Sequence, residues 1–129
     1  MKISSVSRNE WKKSPLLKEF FFNGSYEFMG LTEPNLLLLH DDEELFSIVS
    51  FSFVGNNSAI KITAIKSYTE RKGYATRLVE TIFDKAKQKK LDIETFCLED
   101  NQKGQAFFRK MKFKKIANDR LKIEYSDLL

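Results

Sequence analysis

Residues 59–98 constrain this chain more than any other stretch. Residues 59–66 read as a strand, with Ile60 and Ile62 on one face, Lys61 and Thr63 opposite, and Ala64 and Ile65 then apolar in succession, a break in alternation compatible with a β-bulge. Farther on, Tyr74, Ala75, Leu78, Val79, Ile82, Phe83 and Ala86 recur at i, i+3, i+4 spacing. Arg77, Glu80, Asp84, Lys85 and Lys87 fill the other face. That is the apolar stripe of an amphipathic helix of about four turns. Residues 91–98 then read as a second strand. A strand, a helix and a strand at this spacing argue for a parallel crossover, so the chain needs a sheet with a parallel pair.

The flanking segments supply the rest. Residues 2–7 read as an edge strand. Residues 8–22 carry Trp11, Leu16, Leu17, Phe20 and Phe21 near helical spacing, with Pro15 best placed in a first turn and Asn23-Gly24 as a stop. Residues 35–40 read as a buried strand, followed by an acidic turn of Asp41, Asp42, Glu43 and Glu44. Residues 45–54 form another strand, ended by Gly55-Asn56-Asn57. Asp100 or Asn101 caps a short helix that runs through Met111. Residues 113–116 and 121–125 close the chain as two more strands. Three consecutive strands argue for hairpins. The expected fold is therefore α/β (mixed α+β): a central mixed sheet of about six to seven strands with helices on both faces. At 129 residues, with 2 Pro, 5 Gly and no linker, residues 1–129 read as one domain, and 12 Phe supply core bulk.

Charge is unevenly spread. The net charge is +4, yet residues 71–115 hold 13 basic and 6 acidic side chains, a local +7. A basic block suits an anionic partner. The aromatics of that stretch fall on core faces rather than on a base-stacking surface, which disfavours a nucleic acid and favours a phosphorylated small molecule. The one cysteine, Cys97, cannot form an internal disulfide, and the start has no apolar leader, so a reducing, cytoplasmic setting is expected. The longest aliphatic run, residues 36–39, cannot cross a bilayer, so no membrane partner is expected. With one His, His40, no metal site is expected. His40 precedes the acidic turn and is expected at the surface. Cys97 is expected to be a small buried residue.

The segment between the fourth strand and the main helix carries the functional signal. The first turn of a helix has N–H groups without internal partners, at the positive end of the macrodipole. A phosphate there gains hydrogen bonds and a favourable field. Gly73 and Ala75 are small enough to let it reach the backbone at Tyr74 and Thr76, and Arg71 and Lys72 add positive charge.

Glu70-Arg71-Lys72-Gly73-Tyr74-Ala75-Thr76-Arg77-Leu78 resembles the acyl-CoA loop of the GCN5-related N-acetyltransferases, whose motif is Gln/Arg-x-x-Gly-x-Gly/Ala after a central strand. The segment from Asp100 to Phe113, with Asn101, Phe107, Lys110 and Phe113 in place, is similar to that family's Asn-x-x-Ala-x-x-Phe-Tyr-x-Lys-x-Gly-Phe. The resemblance covers about residues 55–125 well, and residues 1–54 by element order alone. It implies a single acetyltransferase domain that uses acetyl-CoA to acetylate a primary amine on a small molecule or a protein, as a monomer or homodimer. It implies cofactor binding by Ala64, Ile65, Arg71, Lys72, Gly73, Tyr74, Ala75, Thr76, Asn101 and Phe108. In this family the N–H groups around Ile65 can polarise the thioester carbonyl.

The departures from the family pattern bear on chemistry. Glu70 and Arg71 replace the usual Gln or Arg and the frequent Gly, and Lys112 replaces the Gly before Phe113. Phe108 stands where many members carry a Tyr that protonates the departing thiolate, and Phe cannot donate a proton. The fourth strand offers Lys61 and Thr63 where some members have a carboxylate base. No residue is assigned as acid or base, although His40, Cys97, Glu99 and Asp100 are the titratable groups to consider. The alternative reading is a degenerate member that binds acyl-CoA or a protein partner without useful turnover.

Overall fold

The computed structural model describes residues 1–7, 10, 35–67 and 73–129. The helix expected over 8–22, with its Asn23-Gly24 stop, lies outside these residues. The strands are β1 (Lys2–Ser7), β2 (Asn35–His40), β3 (Leu45–Val54), β4 (Ala59–Ser67), β5 (Asp92–Phe96), β6 (Lys114–Ala117) and β7 (Arg120–Ile123). The helices are α1 (Tyr74–Lys89), α2 (Gln102–Lys110) and α3 (Tyr125–Leu128). The strands form one seven-stranded sheet in the order β1-β2-β3-β4-β5-β7-β6. The β4–β5 pair is parallel, as the crossover requires, while β1–β2, β2–β3, β5–β7 and β6–β7 are antiparallel. The mixed sheet with helices is the fold class expected from the sequence.

By contacts the chain divides into two compact units, one of Met1–Ser52 with Thr63–Val79 and the other of Phe53–Ile62 with Glu80–Leu129. In the first, Leu36, Leu37, Leu38 and Leu39 are all buried, so β2 is covered on both faces, as an unbroken apolar run demands. The acidic turn closes on itself. Asp41 Oδ1 accepts from the N–H groups of Glu43 (2.8 Å) and Glu44 (2.7 Å), and these bonds hold its carboxyl below the usual range.

His40 is not at the surface. It is 9% exposed, with Nδ1 2.7 Å from the Asp41 carbonyl and Nε2 2.6 Å from Ser4 Oγ. A carbonyl only accepts, so Nδ1 donates to Asp41 O, while Nε2 and the Ser4 hydroxyl form the second bond. With both nitrogens satisfied, burial beside β1 costs the imidazole little.

In the second unit, Leu121 (0% exposed) and Ile123 (2%) make β7 the inner strand against β5. All four residues of β6 are exposed, and it takes the edge, where Lys114 and Lys115 discourage further pairing. Sequence alternation carried the last strand through Tyr125. The chain instead turns at Glu124 into α3, whose Tyr125 N–H donates to Asp92 Oδ1 at 2.8 Å.

Both long helices end in the same way. At the end of α1, Leu91 N donates to Ala86 O (2.9 Å) and Lys90 N to Lys87 O (3.4 Å). After α2, Phe113 N donates to Phe108 O and Lys112 N to Arg109 O, both at 3.0 Å. These paired six-to-one and five-to-two bonds form a Schellman motif, which requires a left-handed residue just past the helix. That residue is Lys90 (φ 57°) in the first case and Lys112 (φ 78°) in the second. The lysine that replaces glycine before Phe113 therefore sits in a conformation that favours glycine. Lys112→Gly is expected to stabilise the protein by about 0.5–1 kcal/mol, measured as a higher urea midpoint at unchanged slope.

Candidate functional site

In the first unit the candidate residues lie on the second half of β4 and the first turn of α1. Side-chain hydrogen bonds count the register between β3 and β4. Thr63 Oγ1 donates to Ser50 O (3.0 Å) and lies 2.9 Å from Ser50 Oγ, so Thr63 faces Ser50. Ser47 Oγ lies 2.9 Å from Ser67 Oγ and donates to Lys66 O at 3.0 Å. Three steps along β3 thus match four along β4. One extra β4 residue lies between Thr63 and Ser67, the count that defines a β-bulge. Ala64 and Ile65, both half-buried, are in that interval. A bulge turns a backbone group out of the ladder, so a ligand could bond there without breaking the sheet.

The start of α1 is set by Gly73. Its carbonyl accepts from Arg77 N at 3.1 Å, which makes Gly73 the residue preceding the first turn. Its φ is +73°, and an added Cβ would meet nothing within 4 Å. The glycine is there for its conformation, and among the described residues nothing crowds it. The N–H groups of Tyr74, Ala75 and Thr76 have no acceptor within the helix, and no acidic side chain sits in the first turn. The Tyr74 ring packs at 44° on Phe46 of β3, centroids 5.4 Å apart, and anchors this end of the helix. An anionic group fits this end through backbone donors and the dipole. Arg71 and Lys72 lie outside the described residues.

In the second unit, Asn101 and Phe108 sit at opposite ends of α2. Asn101, not Asp100, is the N-cap, its Oδ1 accepting from Gly104 N at 3.0 Å. That bond leaves the Asn101 amide nitrogen as its remaining donor group. Phe108 is 7% exposed and makes edge contacts with Phe107 (5.2 Å, 70°) and Phe113 (5.2 Å, 67°). The Phe108–Phe113 contact is the apolar clasp that accompanies a Schellman motif. The ring therefore holds the helix end.

Cys97 is buried, and its thiol pKa is pushed up, first by desolvation and then by the charges of Asp119 and Asp100. It is a protonated packing residue at neutral pH. Gly104 was not singled out from the sequence, although an isolated Gly inside a helical pattern marks a close approach. A Cβ there would lie 2.7 Å from Cys97 Sγ and 2.7 Å from Asn101 Nδ2. Gln105 Nε2 adds a bond to Cys97 O at 2.8 Å. Among the described residues, no group of three or more His, Cys, Asp or Glu could hold a metal ion, and no helix is long and apolar enough to cross a membrane.

Residues 5–113 match the profile described as the acetyltransferase (GNAT) family. The chain belongs to the GNAT family. No curated protein matches it at a significant level. Among solved structures, an aminoglycoside 6'-acetyltransferase type Ii is similar at 17% identity, with 97% of each chain covered and a TM-score of 0.70. The GCN5 protein of Tetrahymena is similar at 8% identity, with 98% of each chain covered and a TM-score of 0.70. AtaTR bound with AcCoA is similar at 10% identity, covering 98% of this chain and 95% of that one, with a TM-score of 0.64. At these identities the likeness is one of fold, and this GNAT chain has that fold.

Replacing Gly104 tests how tightly α2 is set against Cys97. Gly104→Ala is expected to cost about 1–3 kcal/mol through the two close approaches. Adding Cys97→Ala should recover part of that loss, and the non-additivity is measured as a double-mutant cycle of urea midpoints.

Proposed function

We propose that this GNAT domain, spanning residues 1–129, is an acetyl-CoA-dependent N-acetyltransferase acting on a primary amine. The observation that carries the reading is the start of α1: first-turn amides at Tyr74, Ala75 and Thr76 without an acceptor in the helix, opened by a left-handed Gly73 whose Cβ position meets no described atom within 4 Å. These first-turn amides, which lack an acceptor within the helix, would hold the pyrophosphate, with Arg71 and Lys72 adding charge from the preceding loop. Acetyl-CoA would supply the acetyl thioester. Backbone N–H groups at Ala64 and Ile65 would donate to the thioester oxygen and stabilise the negative charge that develops there. Holding the donor against the strand lets a neutral amine attack in a fixed geometry. Asn101 and Phe108 would complete the cofactor contacts, as the family motif implies. The acceptor is a small molecule or a protein. The setting is reducing and cytoplasmic, and the protein is a monomer or homodimer.

Phe108 favours a second reading, in which the domain binds acyl-CoA, or only a protein partner, with little turnover. It supplies no proton to the leaving thiolate, so water must do so. A positioned acid contributes about 10²–10⁴-fold, and its loss slows transfer without abolishing it.

Calorimetric titration of acetyl-CoA into wild type and Ala75→Glu tests the donor site. A carboxylate about 5 Å from a phosphate costs about 3 kcal/mol at an effective dielectric near 20. After screening, affinity is expected to fall roughly 100-fold. The melting temperature should hold, because a negative side chain suits a helix start. Unchanged affinity in folded Ala75→Glu would place the phosphates elsewhere. Phe108→Tyr is expected to raise turnover on an amine panel by about 10-fold, followed as free thiol released. A fall in turnover with intact binding would mean that the ring serves only the aromatic clasp.

A further inference from the structure

We propose that Thr95 is a positioning residue for the acyl-donor site, its buried hydroxyl pinning the point where β4 leaves its ladder with β5. The inference rests on the donor reading above. β4 pairs with β5 over four rungs, from Ala59↔Asp92 to Ile62↔Thr95, yet β4 runs on to Ser67. Thr95 belongs to the last rung, is 5% exposed, and donates from Oγ1 to Ile62 O at 2.9 Å.

Its surroundings make a hydroxyl there informative. Ile93 (0% exposed) shares its face of β5, buried Cys97 (6%) follows just past the strand, and the cross-strand partner of Thr95 is Leu121 (0%). A polar residue in such an apolar row needs its hydrogen bond to be tolerated, whereas valine would fill the same shape at no polar cost. A carbonyl oxygen has two lone pairs, so Ile62 O can take the hydroxyl as well as a ladder donor.

What the bond controls follows from chain geometry. It orients the Ile62 carbonyl toward β5. Thr63 is held the other way, on Ser50 O at 3.0 Å. The bulge interval with Ala64 and Ile65 begins at the next residue. Two hydroxyls thus clamp successive β4 residues in opposite directions immediately before the backbone that would meet the thioester. Thr95 acts on that backbone along β4, through Ile62, and touches no reacting atom.

The test uses Thr95→Val and Thr95→Ser in the full chain, with two measurements. In the free protein, amide hydrogen exchange at residues 63–66 is expected to quicken by about 10-fold in Thr95→Val, the equivalent of one lost hydrogen bond. Calorimetry is expected to show acetyl-CoA binding weakened by about 5–10-fold in Thr95→Val. Thr95→Ser, which keeps the hydroxyl, should stay near wild type in both. A Thr95→Val protein with wild-type exchange and affinity overturns the proposal. So does one that is merely less stable, or one that Thr95→Ser matches. If wild type itself binds no acetyl-CoA, the donor reading falls, and the exchange experiment still decides whether Thr95 pins β4.

Discussion

Four parallel rungs between β4 and β5 are the constraint on which this chain's architecture depends. A parallel pair cannot be joined by a tight turn, so the connection must leave the sheet, run as a helix and return. α1 is that helix, and its stripe of Leu78, Val79, Ile82 and Ala86, all 0% exposed, supplies the burial that stabilises the crossover. The start of α1 therefore follows β4 within a few residues. A helix start offers donors, and a strand that outruns its partner by five residues offers more. Both consequences come from one topological demand, before any side chain with special chemistry is considered.

The second unit shows how far packing and function can share one residue. In the proposed donor site, Phe108 would stand where the family motif often carries a proton donor. It also closes the end of α2 by meeting Phe113 across the Schellman turn. An aromatic ring is what the helix end needs, and a hydroxyl is an addition that the helix end does not need. The motif's Phe-Tyr-x-Lys-x-Gly-Phe pattern thus reads first as a way to stop a helix and turn it into a strand. Its chemistry is a decoration on that corner.

Much of this was legible in the sequence because it was periodic. The α1 stripe, the alternation of β4 and the apolar run of β2 each have a spacing that only one element satisfies. The successive apolar residues Ala64 and Ile65 break that alternation in the interval where the Ser50–Thr63 and Ser47–Ser67 contacts count one extra residue. The misreadings involve partners distant in sequence. His40 looked exposed because it borders four acidic residues, while Ser4, which satisfies it, is 36 positions away. Thr95 carries no local sign of its bond to Ile62 O on another strand, and the inner place of β7 depends on what β5 leaves uncovered. Local pattern reveals faces, and it cannot reveal which long-range polar pair makes a buried group tolerable.

The lysines in the two left-handed turns have a further consequence. Lys90 and Lys112 are exposed and are the residue type that trypsin cleaves after. A protease must draw several residues into an extended strand to cut. Here each lysine has positive φ, and its own N–H and that of its neighbour are bonded back into the helix. Both sites are accessible to solvent yet closed to the enzyme's active cleft. Cleavage at either would mark the moment when a helix end unwinds, so each lysine is a built-in reporter of local opening.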